Sequence, residues 1–185
     1  MRVFIDFEAS SLGKKSYPIE VGWVFEDGGR SENWLIRPPP EWTDWDEEAE
    51  AIHGIARSRL IEEGAPVEAV AQRLLSALGD HSVYASAPSW DGKWLSQLLR
   101  GAGLPRHALR LKDTEEAREE SARAILAAAL PADDVEAAVA RVLARAAEAG
   151  RAAFVSHRAV EDAERERQVW LAVAQLAEAE AAALR

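Results

Sequence analysis

The 185-residue chain contains no cysteine, a single methionine and two tyrosines. Without a thiol it has no disulfide, zinc-thiolate cluster, iron-sulfur site or cysteine nucleophile, so any metal chemistry must use carboxylates and histidines. Basic residues are the minority, 22 against 32 acidic, for a formal charge of -10. That balance argues against a protein held to nucleic acid by a uniformly basic surface, but not against a nuclease whose metals carry the positive charge. Long apolar runs are missing too, and none approaches the roughly 18 residues of a spanning helix. The opening Met1-Arg2-Val3-Phe4-Ile5-Asp6 reaches an acid too soon for a signal peptide. These absences give the expectation of a soluble, cytoplasmic protein with no membrane association.

What is present is apolar material enough for one substantial core, 48% of residues, so residues 1–185 are expected to form one domain. Val3 to Phe7, Ile19 to Phe25 and Glu32 to Arg37 read as strands of an antiparallel meander, with a turn at Asp27-Gly28-Gly29 and a stop at Pro38-Pro39-Pro40. Helical spacing then takes over. Val67, Val70, Ala71, Leu74, Leu75 and Leu78 share a face between Pro66 and Gly79, Ser82 to Ala85 reads as a short buried strand, and Asp91 to Leu99 reads as a further helix. The Ala, Glu, Arg and Leu of residues 115–149 favour helix, broken by Pro131, and a long terminal helix is expected from Arg158 to Leu184. Alternating strands and helices imply an α/β layered fold.

Three features carry chemistry. Asp6 and Glu8 stand two apart at the end of an apolar strand, so their side chains share a face. Two carboxylates held together repel unless a cation joins them, which suits a hard divalent ion; the alternative is a strand that simply surfaces there. In Ser156-His157-Arg158-Ala159-Val160-Glu161-Asp162, the five-residue interval does not put His157 and Asp162 on one helical face. His157 is therefore expected on the loop entering the helix, leaning toward the same point as Asp162. Asp91, in Ser86-Ala87-Pro88-Ser89-Trp90-Asp91, follows a strand and opens a helix, where capping alone would account for it.

In order and spacing these features resemble the three motifs of the DEDD exonuclease superfamily in its DEDDh, or DnaQ-like, form. Further matches lie in Pro18-Ile19-Glu20-Val21-Gly22, in Ile52-His53-Gly54-Ile55 and in Lys112-Asp113-Thr114, so the resemblance spans about residues 2–174. The chain departs from the family at Ala9-Ser10-Ser11, where many members carry Thr, and at Ser86-Ala87, where many carry His-Asn. The resemblance implies a ribonuclease-H-like mixed five-stranded sheet flanked by helices, and hydrolysis of phosphodiesters from a 3′ end to nucleoside 5′-monophosphates. It also implies that Asp6, Glu8, Asp91 and Asp162 hold two Mg²⁺ or Mn²⁺ ions and that His157 is the general base, a role suited to an imidazole with an ordinary pKa of about 6.5. By the same likeness Ala9, Ser10, Ser11, Leu12 and His53 are the expected substrate contacts, with Leu12 wedged against the terminal base. Lys14, Lys15, Lys93 and Arg158 either meet the nucleic-acid backbone or are solvated surface charges. The partner is then single-stranded DNA or RNA with a free 3′ end, handled by a monomer or a homodimer. A binding module without turnover and a small-molecule metallophosphoesterase are the competing readings.

Overall fold

A computed structural model describes residues 1–150 and 157–183. Strands β1 (Arg2–Ala9), β2 (Pro18–Phe25) and β3 (Ser31–Arg37) form the expected antiparallel meander. Gly28, at φ 70°, turns β2 toward β3, and its N–H donates to the Phe25 carbonyl at 2.9 Å. Two seven-residue helices follow, α1 (Glu47–His53) and α2 (Arg57–Glu63), each too short for an apolar stripe to stand out in the sequence. Then come β4 (Ala65–Pro66), α3 (Val67–Leu78), β5 (Ser82–Ala85), α4 (Pro88–Gly101) and β6 (Leu111–Asp113). Helices α5 (Thr114–Ala127) and α6 (Ala132–Gly150) lie on either side of Pro131, and α7 (Ala159–Ala183) runs one residue inside its expected start. Leu184, its expected end, and Ser156 lie outside the described residues.

The strands order as β4-β3-β2-β1-β5-β6, with β5 and β6 parallel to β1. This is the mixed α/β architecture the motifs imply, with six strands rather than five. The additional one is β4, a two-residue pairing of Ala65 and Pro66 with Ile36 and Arg37. A pair that short, half of it proline, has no alternation to read. Helix α4 also begins earlier than expected, because Pro88 takes its first turn.

Alternation sorts the sheet into two faces. Val3, Ile5, Phe7 and Ala9 of β1, with Ile19, Val21, Trp23 and Phe25 of β2, join the large core with α3 and α4. Phe4 and Val24 point the other way, packing with Tyr84, Ala117 and Ala163. Beyond them α5, α6 and α7 bury a cluster of their own, including Leu126, Val139, Val142 and Val173. Asp6 and Glu8 continue the Phe4 face, so they look toward α7. Among the described residues no helix is long and apolar enough to cross a membrane.

Candidate active site

Asp6 sits opposite Gly22 across the β1–β2 ladder, and Glu8 sits opposite Glu20. Gly22 matters because α7 enters directly above it. A Cβ there would run into the backbone of Ala159 and Val160. The missing side chain lets the first turn of α7 touch the sheet, which brings Asp162 over the two strand acids. Glu20 fixes that docking from below. It is fully buried and accepts from Arg158 Nη2 at 2.6 Å and Nε at 3.1 Å, from the Ala159 N–H at 3.1 Å and from Asn33 Nδ2 at 2.7 Å. Burial alone would raise its pKa, but these donors hold it below the ordinary carboxylate range.

Glu8, His157 and Asp162 place ligand atoms within 4.8 Å of one another. Asp6 and Asp91 join them electrostatically. Burial pushes the Asp6 carboxyl well above its usual pKa, and Asp91, Glu8 and Asp162 push it further, with Arg165 the opposing cation. Burial, followed by the charges of Asp162 and Glu20, raises Glu8 to about 8. Three carboxylates that resist ionising, with the Asp162 carboxylate beside them, are a donor set suited to hard divalent cations, which bind oxygen and neutralise the shared charge.

Asp91 is 2% exposed and lies one turn inside α4 rather than at its start, with Ala87 in the capping position. Its carboxylate accepts the Ala87 N–H at 3.2 Å and the N–H of Phe7, between the two strand acids. Such a bond is open because β5 pairs with β1 only as far as Phe4, leaving the rest of that edge of β1 uncovered. Burial nonetheless raises Asp91 to about 7, outweighing those N–H donors, and Glu166 adds to the rise. His157 is exposed and stands two residues ahead of α7, at φ 53°. A left-handed conformation is uncommon for a residue with a Cβ, and here it turns the imidazole back toward Glu8 and Asp162.

The expected substrate contacts divide. Leu12 stands 71% exposed, whereas Ala9, Ser10, Ser11 and His53 are buried. Both serine hydroxyls are engaged, by Asp44 from the segment before α1 and by the loop's own backbone: Ser10 Oγ donates to Asp44 at 3.3 Å and accepts the Tyr17 N–H, while Ser11 Oγ donates to Asp44 at 2.5 Å and accepts the Gly13 N–H. His53 ends α1, Gly54 breaks the helix at φ 68°, and His53 Nδ1 accepts the Ile55 N–H at 3.1 Å. That assignment leaves Nε2 as a buried nitrogen with no partner among the described residues. Of the cations, Arg158 is committed to Glu20, and Lys93 donates to the Gly13 carbonyl and to Ser16 Oγ, each at 2.7 Å. Trp42 and Trp94 are packing residues; Trp90 is 40% exposed, under Lys93.

Four residues of the site escape sequence reading: Glu20 as the anchor of α7, Asp44 as the loop clamp, and Arg165 and Glu166. Besides its place in the Pro18-Ile19-Glu20-Val21-Gly22 match, Glu20 is signalled by a lone charge in an otherwise apolar strand, and Glu166 by a spacing of four from Asp162.

No protein-family model and no curated protein matches the chain. Solved structures do. A zinc-bound complex of E. coli exonuclease I with single-stranded DNA superposes with a TM-score of 0.62 at 15% identity, covering 90% of this chain and 38% of that one. A 3′-exonuclease described as recognising the histone mRNA stem-loop gives 0.64 at 14% identity, covering 96% and 64%. Exonuclease I from Methylocaldum szegediense gives 0.55 at 13% identity, covering 65% and 29%. The fold implied by the motifs is thus the fold these exonucleases share, and the chain spans about a third to two thirds of their length.

Proposed function

We propose that this chain is a divalent-metal-dependent 3′-to-5′ exonuclease that releases nucleoside 5′-monophosphates from single-stranded nucleic acid. The observation that carries the reading is the convergence of Asp6, Glu8, Asp91 and Asp162, from two strand positions and two helices, with His157 in reach of Glu8 and Asp162. Independent elements bring five motif residues to one end of one sheet, in the fold of known exonucleases.

Asp6, Glu8 and Asp162 would hold one ion, and Asp6 and Asp91 a second. Bound there, divalent ions would supply charge neutralisation at the phosphate and activation of water. The remaining work falls to the protein. His157 takes the proton from the attacking water at an imidazole nitrogen, and its exposure on the loop lets it exchange that proton with solvent. Glu20 keeps α7 seated so that the distances to Asp162 hold. Leu12, an exposed apolar residue four positions after Glu8, offers a sequence-tolerant surface for the terminal base. The exonuclease I complex contains DNA and the other neighbour is described with an mRNA, so both nucleic acids are candidates.

The test uses matched DNA and RNA single strands, labelled at either end, with Mg²⁺ or Mn²⁺ or with chelator. A ladder that shortens from the 3′ end, yields monophosphates and disappears with chelator is the expected result. Binding without cleavage under every metal condition would overturn the reading in favour of a binding module. His157→Ala should lower kcat by about 10² to 10⁴-fold while leaving metal binding intact, because proton removal acts in the transition state. Near-normal turnover in that variant would remove His157 from catalysis.

A further inference from the structure

Arg165 is a cation in contact with one of the acids of this carboxylate cluster. It lies on α7 three residues beyond Asp162, with Nη1 at 3.3 Å from Asp162 Oδ1 and Nη2 at 4.0 Å from Glu166 Oε1. The two acids are nearly buried, their side chains 9% and 11% exposed, whereas the arginine is 28% exposed. Glu166 is claimed from its other side by Arg118 of α5, a bond that fixes Glu166 and leaves Asp162 as the closer partner of Arg165. The remaining cation in this region, Arg158, is committed to Glu20. Asp162 therefore has a counter-charge of its own, supplied by its own helix.

We propose that Arg165 is a resident counter-ion of Asp162, which a divalent ion must displace to bind. The argument is one of competition. The carboxylate oxygen that Arg165 contacts belongs to a proposed metal ligand, and a guanidinium and a divalent cation on the same oxygen repel each other. Metal affinity is then set partly against the Arg165–Asp162 pair. The partial exposure of Arg165 gives it somewhere to go, since its guanidinium can swing to water while the buried acids cannot. A merely structural arginine, seating α7 through Glu166, makes the opposite prediction, because its loss would loosen the ligand set and weaken metal binding.

This inference rests on the metal-dependent reading above, and Mn²⁺ titration of the full chain by calorimetry tests both separately. Arg165→Gln should bind Mn²⁺ about two- to fivefold more tightly than the unsubstituted protein, the range expected for releasing a partly exposed ion pair. Arg165→Lys, which keeps the charge, should stay near the unsubstituted value. Circular dichroism establishes that each variant is folded, and the Mn²⁺-induced rise in Tm gives a second reading of affinity. Equal or weaker Mn²⁺ binding by folded Arg165→Gln overturns the counter-ion role. Asp6→Asn serves as the control for the site itself: if it binds Mn²⁺ as well as the unsubstituted protein, the metal-dependent reading fails, and the counter-ion proposal with it.

Discussion

At the scale of single residues, the site holds carboxyl groups whose burial, and then whose mutual repulsion, opposes ionisation, and that cost can be read out as stability. Asp91 and Glu8 ionise in the folded chain at about 7 and about 8, against ordinary values of 3.8 and 4.5, and Asp6 is displaced in the same direction. A folded state that holds protons the unfolded chain has lost becomes less stable as pH rises. For Asp91 and Glu8 the loss begins near the ordinary carboxylate pKa, about 4, and is complete near 8. With chelator present, Tm should therefore fall steadily across that interval. Added Mg²⁺ or Mn²⁺ should restore it, most strongly at the alkaline end, where the ligands are ionised. Asp6→Asn removes one of the repelling charges and should flatten the decline. A Tm that rises from pH 5 to pH 8 in chelator would contradict the clustering of these acids. The acids themselves were legible in the sequence, because an Asp-x-Glu pair closing an apolar strand is chemically conspicuous. The contacts around them were less so: Asp44 reaches the serines of the loop after β1 from 33 or 34 positions away, which no local pattern marks, and Arg165 has only its three-residue spacing from Asp162 to mark it.

At the scale of elements, the decisive junction is α7 on β2. Three features meet there: Gly22 with no side chain, Glu20 with four donors on its carboxylate, and Ala159 with no exposed surface. Gly22→Ala should force α7 outward, costing about 1 to 3 kcal/mol as overpacking does. It should also weaken Mn²⁺ binding, although Gly22 is no ligand, because Asp162 rides on the displaced helix. Gly29→Ala is the matched control, since a Cβ there would meet nothing closer than an Asp27 oxygen at 3.7 Å. Chemical denaturation and metal titration of both variants check this; an unperturbed Gly22→Ala would mean that α7 is not held by close approach. The longer elements were readable in advance, α3 with both its ends, because apolar spacing and a flanking Pro66 and Gly79 agree. Helix α1 was not, yet its last residues give a physical reason for the His53-Gly54-Ile55 string. Gly54 supplies the left-handed stop, His53 accepts the Ile55 N–H, and Ile55 is fully buried.

At the scale of the whole molecule, the proposed exonuclease would have to hold a polyanion while its own chain carries -10. Two of the cations nearest the motifs in sequence are spent internally, Arg158 on Glu20 and Lys93 on the loop after β1. Lys14, Lys15 and Arg100 line an open cavity of about 470 Å³, but Glu41 and Asp44 line it with them. Affinity for a single strand should then come from divalent ions and from apolar contact at the terminus, with few phosphates neutralised by side chains. Each such phosphate contributes about 0.7 to the slope of log K against log monovalent salt on single strands. If Lys14, Lys15 and Arg100 are the cations that meet phosphates, three contacts give a slope of about -2 at fixed divalent concentration. Asp6→Asn should reduce affinity more than a doubling of monovalent salt does. Fluorescence anisotropy with a 3′-phosphorothioate oligonucleotide, titrated at several salt concentrations, measures both quantities. A slope near -5 or beyond would require a basic track along the strand, and the divalent ions would then be secondary to binding even if they remained necessary for cleavage.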